Sequence, residues 1–177
     1  MKKLYQFCFV LLVAISLSGE AKCAEARWCD FLKSVRRNAK EKNGLQAGIA
    51  VDNRQNLFTF SADLGGRGET TALEVMQAGD KQGLKLKTCE VGFGLAVCAL
   101  AGTPKPAASY DCSKEYCFTP NFWSFYLLKS DASTWVFSEK GIKEAKVSDG
   151  DILGFAWVAK EGGHPSRSPL PAPSECR

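Results

Sequence analysis

The chain of 177 residues contains one histidine, His164, and it stands in a proline-crowded stretch near the carboxy-terminal end. That scarcity excludes a good deal. A serine or cysteine nucleophile relies on a histidine base within hydrogen-bond reach, and residues 27–160 supply none. A zinc site of the Cys-His kind asks for C-x₂-C pairs beside histidines, and no C-x₂-C occurs. Paired carboxylates can cleave glycosides, but no acid sits in a context that suggests a raised pKa. The chain reads as non-catalytic. Long apolar runs are missing too. Phe7 to Leu17 is a run of eleven residues, where a bilayer needs about 20. Strong charge of one sign is also absent, with 23 Lys and Arg against 19 Asp and Glu. That balance points to neither nucleic acid nor an anionic membrane.

What is present begins with the short apolar run itself. Lys2 and Lys3 precede it, and Ala24-Glu25-Ala26 follows as a small-x-small cleavage site. This order predicts a signal peptide over residues 1–26, cleaved near Ala26, and a secreted or periplasmic mature protein with no membrane span. Lys22, directly before Cys23, argues against lipid attachment. Cleavage removes Cys8 and Cys23 and leaves Cys29, Cys89, Cys98, Cys112, Cys117 and Cys176. An even count in an oxidising compartment predicts disulfides, with the pairing left open. The C-x₄-C spacing of Cys112 and Cys117 departs from the C-x₂-C of a thioredoxin-type pair.

Patterning divides the rest. Trp28, Phe31, Leu32 and Val35 fall at i, i+3, i+4 and i+7, opposite Lys33, Arg36, Arg37 and Lys40, and predict a helix over residues 27–44 stopped by Gly44. An α+β domain is expected over residues 45–158. Ala47, Ile49 and Val51, then Phe58 and Phe60, alternate around the polar stretch Asp52 to Asn56 and predict a hairpin. Gly65, Gly66 and Gly68 suggest a phosphate cradle, but the P-loop lysine is missing. Thr71 and Glu74 form a capping box that opens a second helix.

"KLKTCEVGFGLAVCAL" reads as one strand, with Gly92 and Gly94 marking a bulge or a close backbone approach. The irregular excursion "AGTPKPAASYDCSKEYCFTPN" calls for a disulfide, worth roughly 3 kcal/mol for a loop of that size. A second hairpin follows. Trp123, Phe125 and Leu127 face one way; Phe122, Ser124, Tyr126 and Leu128 face the other. The last strand sets Leu153, Phe155 and Trp157 against Ile152, Gly154 and Ala156. Residues 159–177 read as a flexible Pro-rich tail whose Cys176 either fastens to Cys29 or bonds another molecule.

"KVSDGDILGFAW" poses a choice between a metal site and a turn. Asp149 and Asp151 flank Gly150, but no further oxygen donors follow on the strand, so six to eight calcium ligands cannot be assembled. Asp-Gly is a favoured turn pair because glycine accepts positive φ. A turn with no metal is expected.

Three stretches in this order resemble a known family. They are "TTALEVMQAGDKQGLKL", "AVCALAG" with "DCSKEYCFTPNFWSFY", and "GIKEAKVSDGDILGFAW". The match is to the transcobalamin-like C-terminal domain family, in a bacterial cysteine-containing subgroup, over roughly residues 45–158. The resemblance implies a small β-grasp-like sheet, mixed but mainly antiparallel, with one helix packed across it. It also implies ligand binding rather than catalysis, with a cobalamin-type corrinoid as the ligand. The large helical domain that accompanies this module in transcobalamin and intrinsic factor has no counterpart here. The module would then bind alone, bind with a partner chain, or not bind corrinoid.

Trp123, Tyr126, Trp135 and Trp157 lie on adjoining expected strands and are the candidate ligand-binding residues. Exposed on one face they would stack on a flat ligand; buried they would be ordinary core. Three functions are distinguished. The first is a secreted module for a small-molecule ligand. The second is a disulfide-stapled module for an envelope protein, with the basic helix and the Pro-rich tail as its handles, marked by an apolar patch on the first helix. The third is a thiol-redox protein using Cys112 and Cys117, marked by a free thiol of low pKa.

Overall fold

The computed structural model describes residues 26–41, 44–66, 68–92, 94–114, 117, 120–159 and 170–176. The expected signal peptide up to residue 25 and tail residues 160–169 lie outside the described residues. Helix α1 runs over residues 26–41 and buries Trp28, Leu32 and Val35, three of the four residues whose spacing predicts it. Strands β1 (Gln46–Asp52) and β2 (Leu57–Asp63) form the first hairpin. Its turn is built by side chains. Asp52 accepts from the Arg54 N–H at 2.7 Å, and Asn53 accepts from the N–H groups of Gln55 and Asn56 at 3.1 and 2.8 Å. Such local acceptors let a non-glycine residue, Arg54, stand at φ 72°.

The glycine run 65–68 leads into a short strand, β3 (Glu69–Thr71), rather than directly into a helix. Helix α2 (Ala72–Asp80) follows, opened by the Thr71 and Glu74 capping box. It buries Val75 and Met76 against the sheet. Gly79 allows the approach, since a Cβ there would stand 2.5 Å from the Ile49 Cδ1.

The stretch after α2 is not a single bulged strand but a hairpin, β4 (Lys87–Val91) and β5 (Gly94–Ala99). The chain reverses at the glycines, with Gly94 at φ 122°, a region that side chains rarely enter. A register shift does occur, but at Lys87 and Thr88.

Strands β6 (Asn121–Leu128), β7 (Val136–Phe137) and β9 (Ile152–Ala159) complete a five-stranded sheet in the order β2-β1-β9-β6-β7. A short β8 (Lys146–Ser148) pairs with β3 outside it. The final strand inserts between β1 and β6, parallel to the first and antiparallel to the second. This is the β-grasp order, and the fold is α+β with a mixed, mainly antiparallel sheet.

Both faces of the sheet are covered. On one, Ile49, Val51, Phe125, Leu153 and Phe155 pack with α2. On the other, Tyr126, Leu128 and Ile152 pack with Trp28, Leu32 and Val35 of α1 and with Leu170. Period-two alternation along β6 feeds both cores at once.

Three disulfides fasten the periphery. Cys29–Cys176 ties α1 to the carboxy-terminal segment, across 147 residues of sequence. Cys89–Cys112 and Cys98–Cys117 hold the irregular excursion after β5 against the β4–β5 hairpin. Asp149-Gly150-Asp151 forms the turn into β9, with Gly150 at φ 78°. The Asp149 carboxylate accepts from the Gln46 N–H at 2.8 Å, and Gln46 returns its carbonyl to the Gly150 N–H at 2.7 Å. These bonds lock the start of β1 to the start of β9.

Candidate functional site: an aromatic cleft over β6 and β9

β6 and β9 pair with Trp123 opposite Trp157 and Phe125 opposite Phe155. Residues directly opposite on one face of an antiparallel pair are close neighbours, so the four rings gather. Trp123 and Trp157 have centroids 5.0 Å apart with planes at 52°; Phe125 and Phe155 are 5.0 Å apart and stacked, at 9°. Trp123, Phe125 and Phe155 floor an open cleft of about 460 Å³. That volume is within the range of small-molecule sites.

Leu95 and Val97 of β5 form one wall, and the segment 138–144 forms the other. The second wall is held in place by its own backbone. The Ser138 N–H donates to the Phe125 carbonyl at 2.9 Å, and the N–H groups of Glu144 and Ala145 both donate to the Gly141 carbonyl. A salt bridge at 2.5 Å joins Lys143 of this wall to Glu90 of β4. The charged residues along the wall are Glu139, Lys140, Lys143 and Glu144, two of each sign. The wall is therefore balanced in charge.

The Trp123 indole N–H is buried and has no hydrogen-bond partner. An unsatisfied buried donor costs roughly 1–3 kcal/mol, and the indole N–H of Trp28 and the hydroxyl of Tyr126 in the second core stand in the same state.

The structure brings Trp123 and Trp157 together, with Trp123 buried in the first core and Trp157 half-buried against it, outside the cleft lining, and it sets the other two candidates on the opposite face. Tyr126 is buried beneath α1, with its ring edge-on to Phe137. Trp135 packs 5.9 Å from Trp28, and its indole N–H donates to the Pro171 carbonyl at 2.8 Å. Tyr126 and Trp135 thus belong to the second core and do not line the cleft. Phe125 and Phe155 were not among the candidates, though the same alternation that places Trp123 and Trp157 also places them. The walls carried no signal, because β5 belongs to a separate hairpin and the segment 138–144 is a loop without apolar alternation.

The cysteines form a second cluster. Cys112 and Cys117, the couple of the thiol-redox alternative, are bonded to Cys89 and Cys98 and not to each other. The sulfurs of Cys89, Cys98 and Cys117 all lie within 4.8 Å of one another. A metal would need thiolates there, and in the disulfide form none is offered. On the excursion itself, the Ser113 hydroxyl and then Lys114 hold the exposed Asp111 carboxyl below the usual carboxylate range.

Among the described residues no helix is long and apolar enough to cross a membrane. A scan against protein-family models finds no match, and no curated protein matches the sequence.

Proposed function

We propose that this chain is a non-catalytic, extracytoplasmic module that binds a flat, mostly apolar small molecule in the cleft over β6 and β9. The three disulfides fit an oxidising compartment. The observation that carries the reading is the cleft of about 460 Å³ floored by Trp123, Phe125 and Phe155. Its floor and its Leu95 and Val97 wall offer apolar and aromatic surface to a ligand. Because the cleft is open, it covers one face of its ligand. That suits a corrinoid, the ligand implied by the family resemblance.

The envelope-protein reading has weaker support. Its handles are the basic face of the first helix, where Lys33, Arg37 and Lys40 are exposed, and the Pro-rich tail, but the apolar patch that would mark it is missing from that helix, since Trp28, Leu32 and Val35 are turned into the core. Val136 is the one large hydrophobic residue exposed among those described.

Calorimetric titration of the oxidised protein with cobalamin and with its precursor cobinamide tests the proposal. Micromolar or tighter binding that vanishes in Trp123→Ala supports it. Absence of heat and of any melting-temperature shift at high ligand sinks the corrinoid reading.

A further inference from the structure

The two disulfides of the hairpin are neighbours in space, and their four sulfurs differ sharply in access. Cys89, Cys98 and Cys117 are buried, whereas Cys112 is exposed on the excursion. β4 pairs Cys89 with Ala96 of β5, and the register shift beside Thr88 sets Cys98 as an additional residue between Val97 and Ala99. A bulge of this kind re-aims a side chain locally. Cys89, Ala96, Cys98 and Cys117 consequently share one small buried cluster with Tyr110. The Cys89 sulfur, bonded outward to Cys112, lies within 4.8 Å of both sulfurs of the Cys98–Cys117 bond.

We propose that these four cysteines form a thiol–disulfide relay, with Cys112 as the port for an external dithiol and Cys89 as the carrier to the buried pair. The external thiolate attacks the accessible Cys112 sulfur, the Cys89–Cys112 bond breaks, and the electron pair leaves on Cys89. The second thiol of the dithiol resolves the mixed disulfide, so the dithiol is oxidised to its disulfide and Cys112 becomes a thiol. The Cys89 thiolate then attacks Cys98 or Cys117. The Cys98–Cys117 bond breaks, a bond to Cys89 forms, and the displaced sulfur takes up the proton. Thiol number is unchanged by this second step, which needs no further reductant. A Cys89–Cys98 bond would join the two hairpin strands and release the far end of the excursion from them. This relay is independent of what the cleft binds, and it differs from a direct Cys112 and Cys117 couple because the intermediate is Cys89.

The test uses the oxidised wild-type protein and a limiting amount of a water-soluble phosphine. Phosphorus attacks Cys112, Cys89 leaves as thiolate, and water converts the adduct to phosphine oxide and the Cys112 thiol. After acid quenching and alkylation, the singly reduced molecules are isolated by mass and mapped by non-reducing digestion. The relay predicts label on Cys112 together with Cys98 or Cys117, and Cys89 in a new disulfide. Label confined to Cys89 and Cys112 overturns it, as does label on Cys98 and Cys117 with Cys89–Cys112 intact. A second measurement uses Cys112→Ser, which leaves Cys89 as the odd sulfur. Label shared among Cys89, Cys98 and Cys117 supports exchange; label on Cys89 alone counts against it.

Discussion

The Lys129 ammonium lies 2.6 Å from the carboxylate of Asp151, and the two residues differ greatly in exposure. The Asp151 side chain is 2% exposed and that of Lys129 is 45% exposed. Asp151 also accepts from the N–H of Ser130 at 3.0 Å and of Ser148 at 2.9 Å. One carboxylate therefore ties together the turn after β6, the end of β8 and the start of β9.

An asymmetric response to mutation follows from that arrangement. Asp151→Ala leaves two backbone donors without their acceptor and is expected to cost about 3 kcal/mol. Lys129→Ala leaves Asp151 with both N–H donors, and water replaces the half-exposed ammonium, so the cost is about 1 kcal/mol or less. Urea unfolding of the oxidised protein compares them. Equal losses would mean that the ion pair, not the backbone bonds, carries the stability.

Gly154 makes room for the covering of the second core. It sits in β9, where a Cβ would stand 2.6 Å from Trp135 Cζ3 and even closer to Leu170. Gly154→Ala is expected to cost about 2 kcal/mol through overpacking. The penalty should shrink in a Leu170→Ala background, where one of the two clashing side chains is gone. A double-mutant cycle measures that coupling, and strict additivity would show that Leu170 does not rest on the sheet.

The period-two alternation of β6 was readable because a strand buried on both faces still separates its neighbours by side. Trp123 and Phe125 went to one core, Phe122 and Tyr126 to the other, as the spacing implies. The capping box at Thr71 and the Asp149-Gly150-Asp151 turn were readable for a similar reason, since each is decided within four residues. The split of the four aromatic candidates was not readable. Alternation says which residues share a side, but not that helices cover both sides. The Cys29–Cys176 bond was one of the two fates named for Cys176, but the pairing of the other four cysteines was hidden, because Cys89 and Cys98 lie on one hairpin while their partners come from an excursion with no pattern. Gly92 and Gly94 signal a break in a strand, and a bulge and a reversal leave the same trace in sequence.

The disulfides should differ in worth by loop length. In the chain-entropy account, the Cys29–Cys176 bond, spanning 147 residues, contributes about 5 kcal/mol, and Cys89–Cys112, spanning 23, contributes about 3 kcal/mol. Paired serine substitutions of each, compared by guanidinium unfolding, should therefore rank Cys29→Ser/Cys176→Ser as the more damaging. The reverse order would show that the local anchoring of the hairpin outweighs restriction of the unfolded chain.

Trp123→Phe separates the ring in the cleft floor from its N–H. The ring surface that faces Trp157 remains, while the buried N–H disappears. Removing an unpartnered donor relieves a desolvation cost, so folding stability should hold or rise by about 1 kcal/mol, set against the cavity left by the smaller ring. Binding should move less. The indole N–H is buried away from the cleft, so a ligand that meets only the ring should keep its affinity within about threefold in Trp123→Phe, while Trp123→Ala, which removes the ring, should abolish binding. Denaturant unfolding and cobalamin titration on the same preparations read both quantities. A Trp123→Phe protein that binds as tightly as the wild type would show that the ligand meets the ring and not the N–H.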